Sequence, residues 1–391
     1  MKIQRIALHT LVIGLGLSLL NCGKDESPTP TDDDTPTETF YNIASATIND
    51  NEYTAPEALS LMYSIDNGES YSSEQPQDMS TGDELWIKIN NGSKDIGEDD
   101  FYFDWSNSTP VPADAENALA KFVVKQANPV INVAVEDKVE LLVVNRHSGQ
   151  FSIVDLTDGG MTPSFTILEG EVGLERIRGV VYNYNDHQIY ISTSKFSQTK
   201  SKLHIVNPKT KQATVINANA EDDWAGIADL IVTPENTILA TISQGQGNGQ
   251  ALLEFDTSGT YSEPKLFSGD NTICCGLGLV YGNTNNELIV GNGAVNPANL
   301  FKANLNAEIT EAIELTLVDF TGVESNSDIY IRNLVKDRTG KIYATCFNDA
   351  DGDIHLSEID LETNEMTEIV KFESSSEVQY NGLVFIPAYA F

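Results

Sequence analysis

Arginine is scarce in this chain and unevenly placed. Of the six arginines, Arg5, Arg146, Arg176, Arg178, Arg332 and Arg338, three border short apolar runs that begin alike. Arg176 and Arg178 flank Ile177 in IRGVV, and Arg332 follows Ile331 in IRNLV. A guanidinium offers a planar fork of donors suited to carboxylate and phosphate groups. The chemistry open to these residues is therefore capture of an anionic group. The competing role is structural pairing with Asp229, Asp328 or Glu175. Cys274 and Cys275 are adjacent, which in an exported protein allows a strained vicinal disulfide and otherwise two buried thiols. A catalytic thiol needs a base, and His147, His187, His204 and His355 fall in turns or in a third strand, so no Cys–His pair is expected. The four cysteines contain no CxxC spacing, which argues against a zinc site. Asp349, Asp351 and Asp353 form DADGD, but Gly352 stands fourth rather than sixth and Asp360 stands where an EF-hand needs Glu. A tight hairpin loop is expected there. Walker A, dinucleotide, HExxH and GxSxG motifs are absent.

The elements that must position these residues repeat. Runs beginning at Ile131, Ile177, Ile227, Leu277 and Ile331 each give a short apolar strand, a polar turn with Asn, Asp or Gly, and a second strand. A sixth, partial copy, YNGLVFIP, begins at Tyr380. Third strands follow at 203–210, 252–259 and 356–363, two of them ending in Asp and a turn. Three or four strands per unit of about 50 residues is a propeller-blade period. Residues 125–391 resemble the large class of β-propeller blade repeats, a resemblance that specifies architecture and not function. The expected fold is all-β, a β-propeller of about six four-stranded blades over 121–391, preceded by a small β-rich, sandwich-like module over 40–120. Seven blades are the alternative, with 40–120 folded into the ring. Within the module, ALSLMYSID, DELWIKIN and FYFDW read as strands, and DELWIKIN alternates Leu85, Ile87 and Ile89 against Trp86 and Lys88. Residues 113–120 read as a short helix or turn. Trp86, Tyr102 and Trp105 are expected to be core residues, with a sugar platform as the other reading.

In a propeller, the start of each first strand lies at one mouth of the central channel. The copies then bring Asn132, Glu175, Arg176, Arg178, Trp224, Asp229, Cys274, Cys275, Asp328, Arg332, Asn333, Tyr380 and Asn381 to that mouth. These are the candidate ligand-binding residues. Some six-bladed propellers are lactonase-like hydrolases with a divalent ion held by Glu, Asn, Asn and Asp. Glu175, Asn132, Asn333, Asn381 and Asp229 match that set by residue type, without a matching motif. Three arginines nearby would oppose a cation electrostatically.

The 58 Asp and Glu against 23 Lys and Arg give a net charge of −35. A nucleic-acid binder needs basic surface, so no nucleic-acid partner is expected. Lys2 and Arg5 precede an apolar stretch, Ile6 to Leu20, too short for a transmembrane helix and suited to a signal peptide. Leu19-Leu20-Asn21-Cys22 resembles a bacterial lipoprotein signal, which implies residues 1–21 as signal and Cys22 as the lipidated residue. Gly23-Lys24-Asp25-Glu26 resembles the acidic tether of surface lipoproteins in Bacteroidetes. Residues 22–39 then form an acidic, Pro/Thr-rich tether, and the expected location is the outer membrane facing the cell surface. Membrane contact is expected through the lipid anchor only.

The function expected is non-catalytic binding of a small ligand, a glycan or an anionic or metal-chelate nutrient, at the propeller mouth. The alternatives are a protein-interaction scaffold and the metal-dependent lactonase-like hydrolase. No cofactor is expected; a structural or catalytic Ca²⁺ stays open.

Overall fold

The computed structural model describes residues 38–49, 59–91, 94–95, 100–194, 201–218, 225–243, 250–268, 278–291, 300–305, 313–318, 329–348, 351–375 and 377–391. They form strands and turns, with no α-helix among the described residues. The chain is all-β. Residues 1–37, which hold the expected signal, Cys22 and all but the last two residues of the expected tether, lie outside the described residues.

The N-terminal module consists of two sheets. One orders Ser45–Ile48, Val130–Asp137 and Phe101–Asp104; the other orders Leu59–Ser64, Glu84–Asn91, Leu119–Val123 and Asp114–Glu116. They share one core that includes Leu85, Ile87, Ile89, Phe101, Trp105, Phe122, Ile131, Val133 and Val135. The period-2 pattern of Glu84–Asn91 is realised, with Leu85, Ile87 and Ile89 buried and Trp86 and Lys88 half-buried on the other face. Three expectations are corrected here. The module does not end at residue 120, because Val130–Asp137 pairs with Ser45–Ile48 in parallel and with Phe101–Asp104 antiparallel. Residues 113–120 are not helical but form the hairpin of Asp114–Glu116 and Leu119–Val123. Of the three aromatics, only Trp105 is fully in the core, its Nε1 donating to the Asn117 carbonyl. Trp86 faces outward beneath Lys121, and Tyr102 is exposed.

The remaining described strands form five units of four antiparallel strands; Leu168–Glu169 and Val172–Gly173 extend the edge of unit two, and units three and four are joined into one eight-stranded sheet by the parallel pairing of Lys265–Ser268 with Ile313–Val318. Unit one is Tyr380–Pro387, Val139–Asn145, Gln150–Val154 and Met161–Thr166. Unit two is Ile177–Asn183, Gln188–Thr193, Lys202–Asn207 and Gln212–Asn217. Unit three is Ala225–Val232, Ile238–Ser243, Gln250–Phe255 and Lys265–Ser268. Unit four is Leu279–Tyr281, Glu287–Gly291, Leu300–Asn304 and Ile313–Val318. Unit five is Ile329–Lys336, Ile342–Asn348, Ile354–Asp360 and Glu365–Phe372.

Six sequence copies give five units because the first and sixth share a sheet. The first copy loses its opening strand to the module, and the C-terminal strand Tyr380–Pro387 takes the vacant inner place beside Val139–Asn145. The units follow one another in a cycle. Each successive pair, one with two, two with three, three with four, four with five, and five with one, encloses its own hydrophobic cluster. A strand packed on both faces has no polar side, so Leu141-Leu142-Val143-Val144 is apolar throughout and wholly buried. Such burial stabilises by about 25 cal/mol per Å² of apolar surface removed from water. The turns are fixed locally: Asp256 and Asp337 each accept backbone N–H bonds from residues two and four ahead, a side-chain-closed turn that needs no tertiary partner.

Candidate functional site

The first strands of the five units neighbour one another around a common axis. Four of them carry a register shift at the same level, between Ile177 and Val180, Ile227 and Leu230, Ile331 and Asn333, and Tyr380 and Leu383. A bulge of this kind redirects side chains that regular pleating would send between sheets. The residues left out of register are Arg178-Gly179, Ala228-Asp229, Arg332 and Asn381-Gly382.

At the third position of these runs stand Gly179, Asp229, Asn333 and Gly382, with Gly278 in unit four. The glycines are required by space. A Cβ on Gly179 would lie 2.7 Å from the Ala228 carbonyl oxygen, and one on Gly382 would lie 2.7 Å from both Val144 Cγ1 and Val180 Cγ2. Gly382 also has φ +89°, a left-handed conformation. The room they leave is filled by two polar side chains.

Asp229 and Asn333 connect all five inner strands. Asp229 Oδ2 accepts the backbone N–H groups of Leu279 at 3.0 Å and Leu334 at 3.1 Å. Asn333 Nδ2 donates to Asp229 Oδ1 at 3.1 Å and to the Arg178 carbonyl at 2.8 Å. Asn333 Oδ1 accepts the Gly382 N–H at 2.7 Å and the Thr345 hydroxyl at 3.2 Å. Both residues are fully buried. Burial pushes the Asp229 carboxyl up to about 7, against the pull of the Leu334 and Leu279 amides and of Asn333. Asp229 and Asn333 were expected to face a ligand at the mouth. They are instead committed to backbone groups and close the axis.

Above this pair, towards the starts of the inner strands, the arginines gather. Arg178 and Arg332 are buried. Arg332 lies over the Phe347 ring, 4.4 Å to its centroid, and its Nη1 is 3.5 Å from Asn381 Oδ1. Asn381 Nδ2 donates to the Ile177 carbonyl at 3.3 Å. Arg146, at the end of a second strand, donates from Nη1 to Gln379 Oε1 at 2.9 Å, and its carbonyl accepts the Arg176 N–H. Arg176 is exposed, with φ +64°. Burial and the neighbouring charge of Arg176 both lower the pKa of Arg146. Tyr380 is half-buried, its ring 5.3 Å from Phe372.

The expected mouth set is thus assembled in part. Arg176, Arg178, Arg332, Tyr380 and Asn381 lie at one end of the axis, and Glu175 is exposed beside Arg176. Asn132 is not there. Its strand belongs to the module, where its N–H and carbonyl bond to the Ser108 hydroxyl. Trp224, Cys274, Cys275 and Asp328 lie outside the described residues. Arg146 and Gln379 are additions that sequence reading missed, since neither lies in an inner strand.

The lactonase-like ligand set does not converge: Asn132 is elsewhere, Glu175 is on the surface, and the Asp229 oxygens are engaged by amides. No cluster of metal-ligating side chains occurs among the described residues. Asp349 lies outside them, and Asp351 and Asp353 both bind Lys371, at 2.9 and 2.8 Å, which suits a hairpin and not a calcium loop. The Cys346 thiol is buried between units four and five and pushed up to about 12, and burial pushes His204 down to about 4. Neither side chain suits catalysis near neutral pH.

No family model matches the sequence, and no curated protein matches it. Solved structures with similarity include a putative 6-phosphogluconolactonase from Bacteroides uniformis, at 11% identity and TM-score 0.35 over 62% of this chain and 70% of that one. TolB from Acinetobacter baumannii aligns at 8% identity and TM-score 0.36 over 78% and 80%. A calcium-binding protein, regucalcin, from Agrobacterium tumefaciens aligns at 15% identity and TM-score 0.35 over 61% and 70%. No residue role is carried over from any of them.

Proposed function

We propose that this chain is a non-catalytic lipoprotein of the outer membrane, anchored through Cys22 and facing the cell surface, whose five units form a five-bladed propeller that captures an anionic small ligand at the arginine end of its axis. The cyclic order of the units and their five interunit cores support the propeller. The Lys2-to-Cys22 segment supports the anchor, and radiolabelled palmitate incorporated by the wild type but not by Cys22→Ser tests it.

The observation that carries the binding reading is the gathering of Arg146, Arg176, Arg178 and Arg332, four of the chain's six arginines, at one end of the axis. Burial and the neighbouring charge of Arg176 both disfavour the charged form of Arg146, and an anion brought to this end would favour it. The surrounding acidic surface disfavours anions in general, so the site selects by geometry. Carboxylated glycans and carboxylate chelates fit this chemistry.

Titration calorimetry with citrate and with an oligogalacturonate tests it. Saturable binding is expected, weakened about tenfold or more in Arg178→Gln and in Arg332→Gln, as loss of a charge-assisted bidentate contact implies. Unchanged affinity in both variants, with both folded, overturns the assignment.

A further inference from the structure

The axis has a second end. On the far side of the Asp229–Asn333 pair, a cavity of about 720 Å³ opens towards the N-terminal module. Its inner limit is set by the residues that directly follow the closed level: Val180 after Gly179, Leu230 after Asp229, Leu334 after Asn333 and Leu383 after Gly382. All five units contribute wall, and Val181, Val232, Val335 and Phe385 are only half-buried there. Tyr102, Tyr182, Tyr184 and Tyr281 stand among the lining residues, Tyr102 coming from the module.

This lining is unexpected for so acidic a chain. Apolar side chains facing water in a concave space are the surface that gains most when a ligand displaces that water. The volume falls within the range of small-molecule sites, about 300–1,000 Å³. The depth argues for a compact occupant. From Leu383 to the strand end at Pro387 is four residue steps, or about 13 Å at 3.3 Å per residue. That is short for an extended long acyl chain.

The charged groups of the lining are mostly answered. Arg338 Nη2 meets Asp137 Oδ2 at 3.0 Å, and Asp337 Oδ1 accepts the amides of Thr339 and Lys341. Glu136 remains, on the module side. Lys336 differs. It projects from the inner strand of unit five, is half-buried, and donates from Nζ to the Gly282 carbonyl. An ammonium has three donors. Burial lowers its pKa, with Glu287 opposing, so an anion brought to it would be stabilised.

We propose that this cavity is a second small-molecule site, taking a compact apolar or aromatic molecule with one acidic group, its ring system against the valine, leucine and tyrosine walls and its acidic group at Lys336. It shares no residue with the arginine end, and the buried Asp229–Asn333 pair separates the two. Neither site needs the other to be correct.

Two fluorescent probes test the assignment on the mature chain: anilinonaphthalene sulfonate, which has the aromatic body and an anionic group, and the uncharged phenylnaphthylamine. One site is expected for each, the sulfonate binding more tightly. Lys336→Gln should bring the sulfonate down about tenfold, towards the uncharged probe, whose affinity should not change. Val335→Trp, and the milder Val232→Phe should the first not fold, should reduce both probes by filling the wall. If a folded wall-filling variant binds both probes as the wild type does, the cavity is not the site. If Lys336→Gln weakens both probes equally, or neither, the acidic-group assignment is overturned.

Discussion

Asp229 and Asn333 lie 3.1 Å apart, Oδ1 to Nδ2, and between them they hold a backbone group from every other inner strand: Arg178, Leu279 and Gly382, with Leu334 beside Asn333. A ring of sheets has no continuous hydrogen-bond ladder around its axis. Here two side chains supply one. Removing either partner strands buried donors and acceptors in several strands at once, and each orphaned group costs about 1–3 kcal/mol. Asn333→Ala should therefore destabilise the chain by about 2–4 kcal/mol, read as a lower urea midpoint in far-UV circular dichroism. A change below about 0.5 kcal/mol would mean the strands are held by their interunit cores alone.

The same pair sets a pH dependence. The folded carboxyl of Asp229 is raised to about 7 from its ordinary value of 3.8. The folded state thus holds a proton that the unfolded state has released over that interval. By linkage, this group's contribution is present below about pH 4 and is lost as pH rises through about 7. The melting temperature should fall between pH 5 and pH 8 for this reason. Asp229→Asn should abolish that slope while lowering stability throughout, because in either orientation its amide nitrogen meets donors, Asn333 Nδ2 on one side or the Leu279 and Leu334 N–H groups on the other. A slope unchanged in Asp229→Asn would assign it to other groups.

Much of this architecture was legible in the sequence, and the omissions have physical causes. The repeat showed because strands buried on both faces are apolar without interruption, as in Leu141 to Val144 and Ile189 to Ile191. Counting Val130–Asp137 as a first inner strand gives the repeat its first copy, but this strand pairs with Ser45–Ile48 and Phe101–Asp104 in the module. Its residues alternate, Ile131, Val133 and Val135 buried and their neighbours not, the pattern of a sandwich strand with one wet face. That alternation was readable and set it apart from Ile177–Asn183. The closed axis had a signal too, in the Gly179, Asp229, Gly278, Asn333 and Gly382 positions: three glycines for two polar side chains. Arg146 had none, because its place beside Arg176 depends on how a second strand ends against Gln379.

The three glycines make a sharper claim than the polar pair does. Gly382 combines a left-handed φ with contacts a Cβ could not keep, and Gly179 lies against the backbone of Ala228 and Asp229. Gly382→Ala should cost about 1–3 kcal/mol, the range for overpacking a tight interior, and Gly179→Ala a similar amount. Gly340→Ala is the control, since a Cβ there meets nothing within 4 Å though its φ is +94°. It should show backbone strain only. Equal losses at all three positions, measured by urea unfolding, would remove the steric explanation.

The C-terminal segment ties the two parts of the chain together, and Tyr389 is where that tie concentrates. Its ring stacks on Phe101 of the module at 5.4 Å. It also packs against the core between units one and two, and the neighbouring Ala388 donates its N–H to the Lys138 carbonyl. The other bridge, Arg338 to Asp137, is partly exposed and worth at most about 1 kcal/mol. Coupling between module and ring should thus rest on Tyr389 more than on Arg338. In calorimetry, Tyr389→Ala should separate the module's melting from that of the five units. Arg338→Gln should leave the transition whole, with a small shift that salt diminishes. If Arg338→Gln splits the transition and Tyr389→Ala does not, the charge pair and not the aromatic stack joins the two parts.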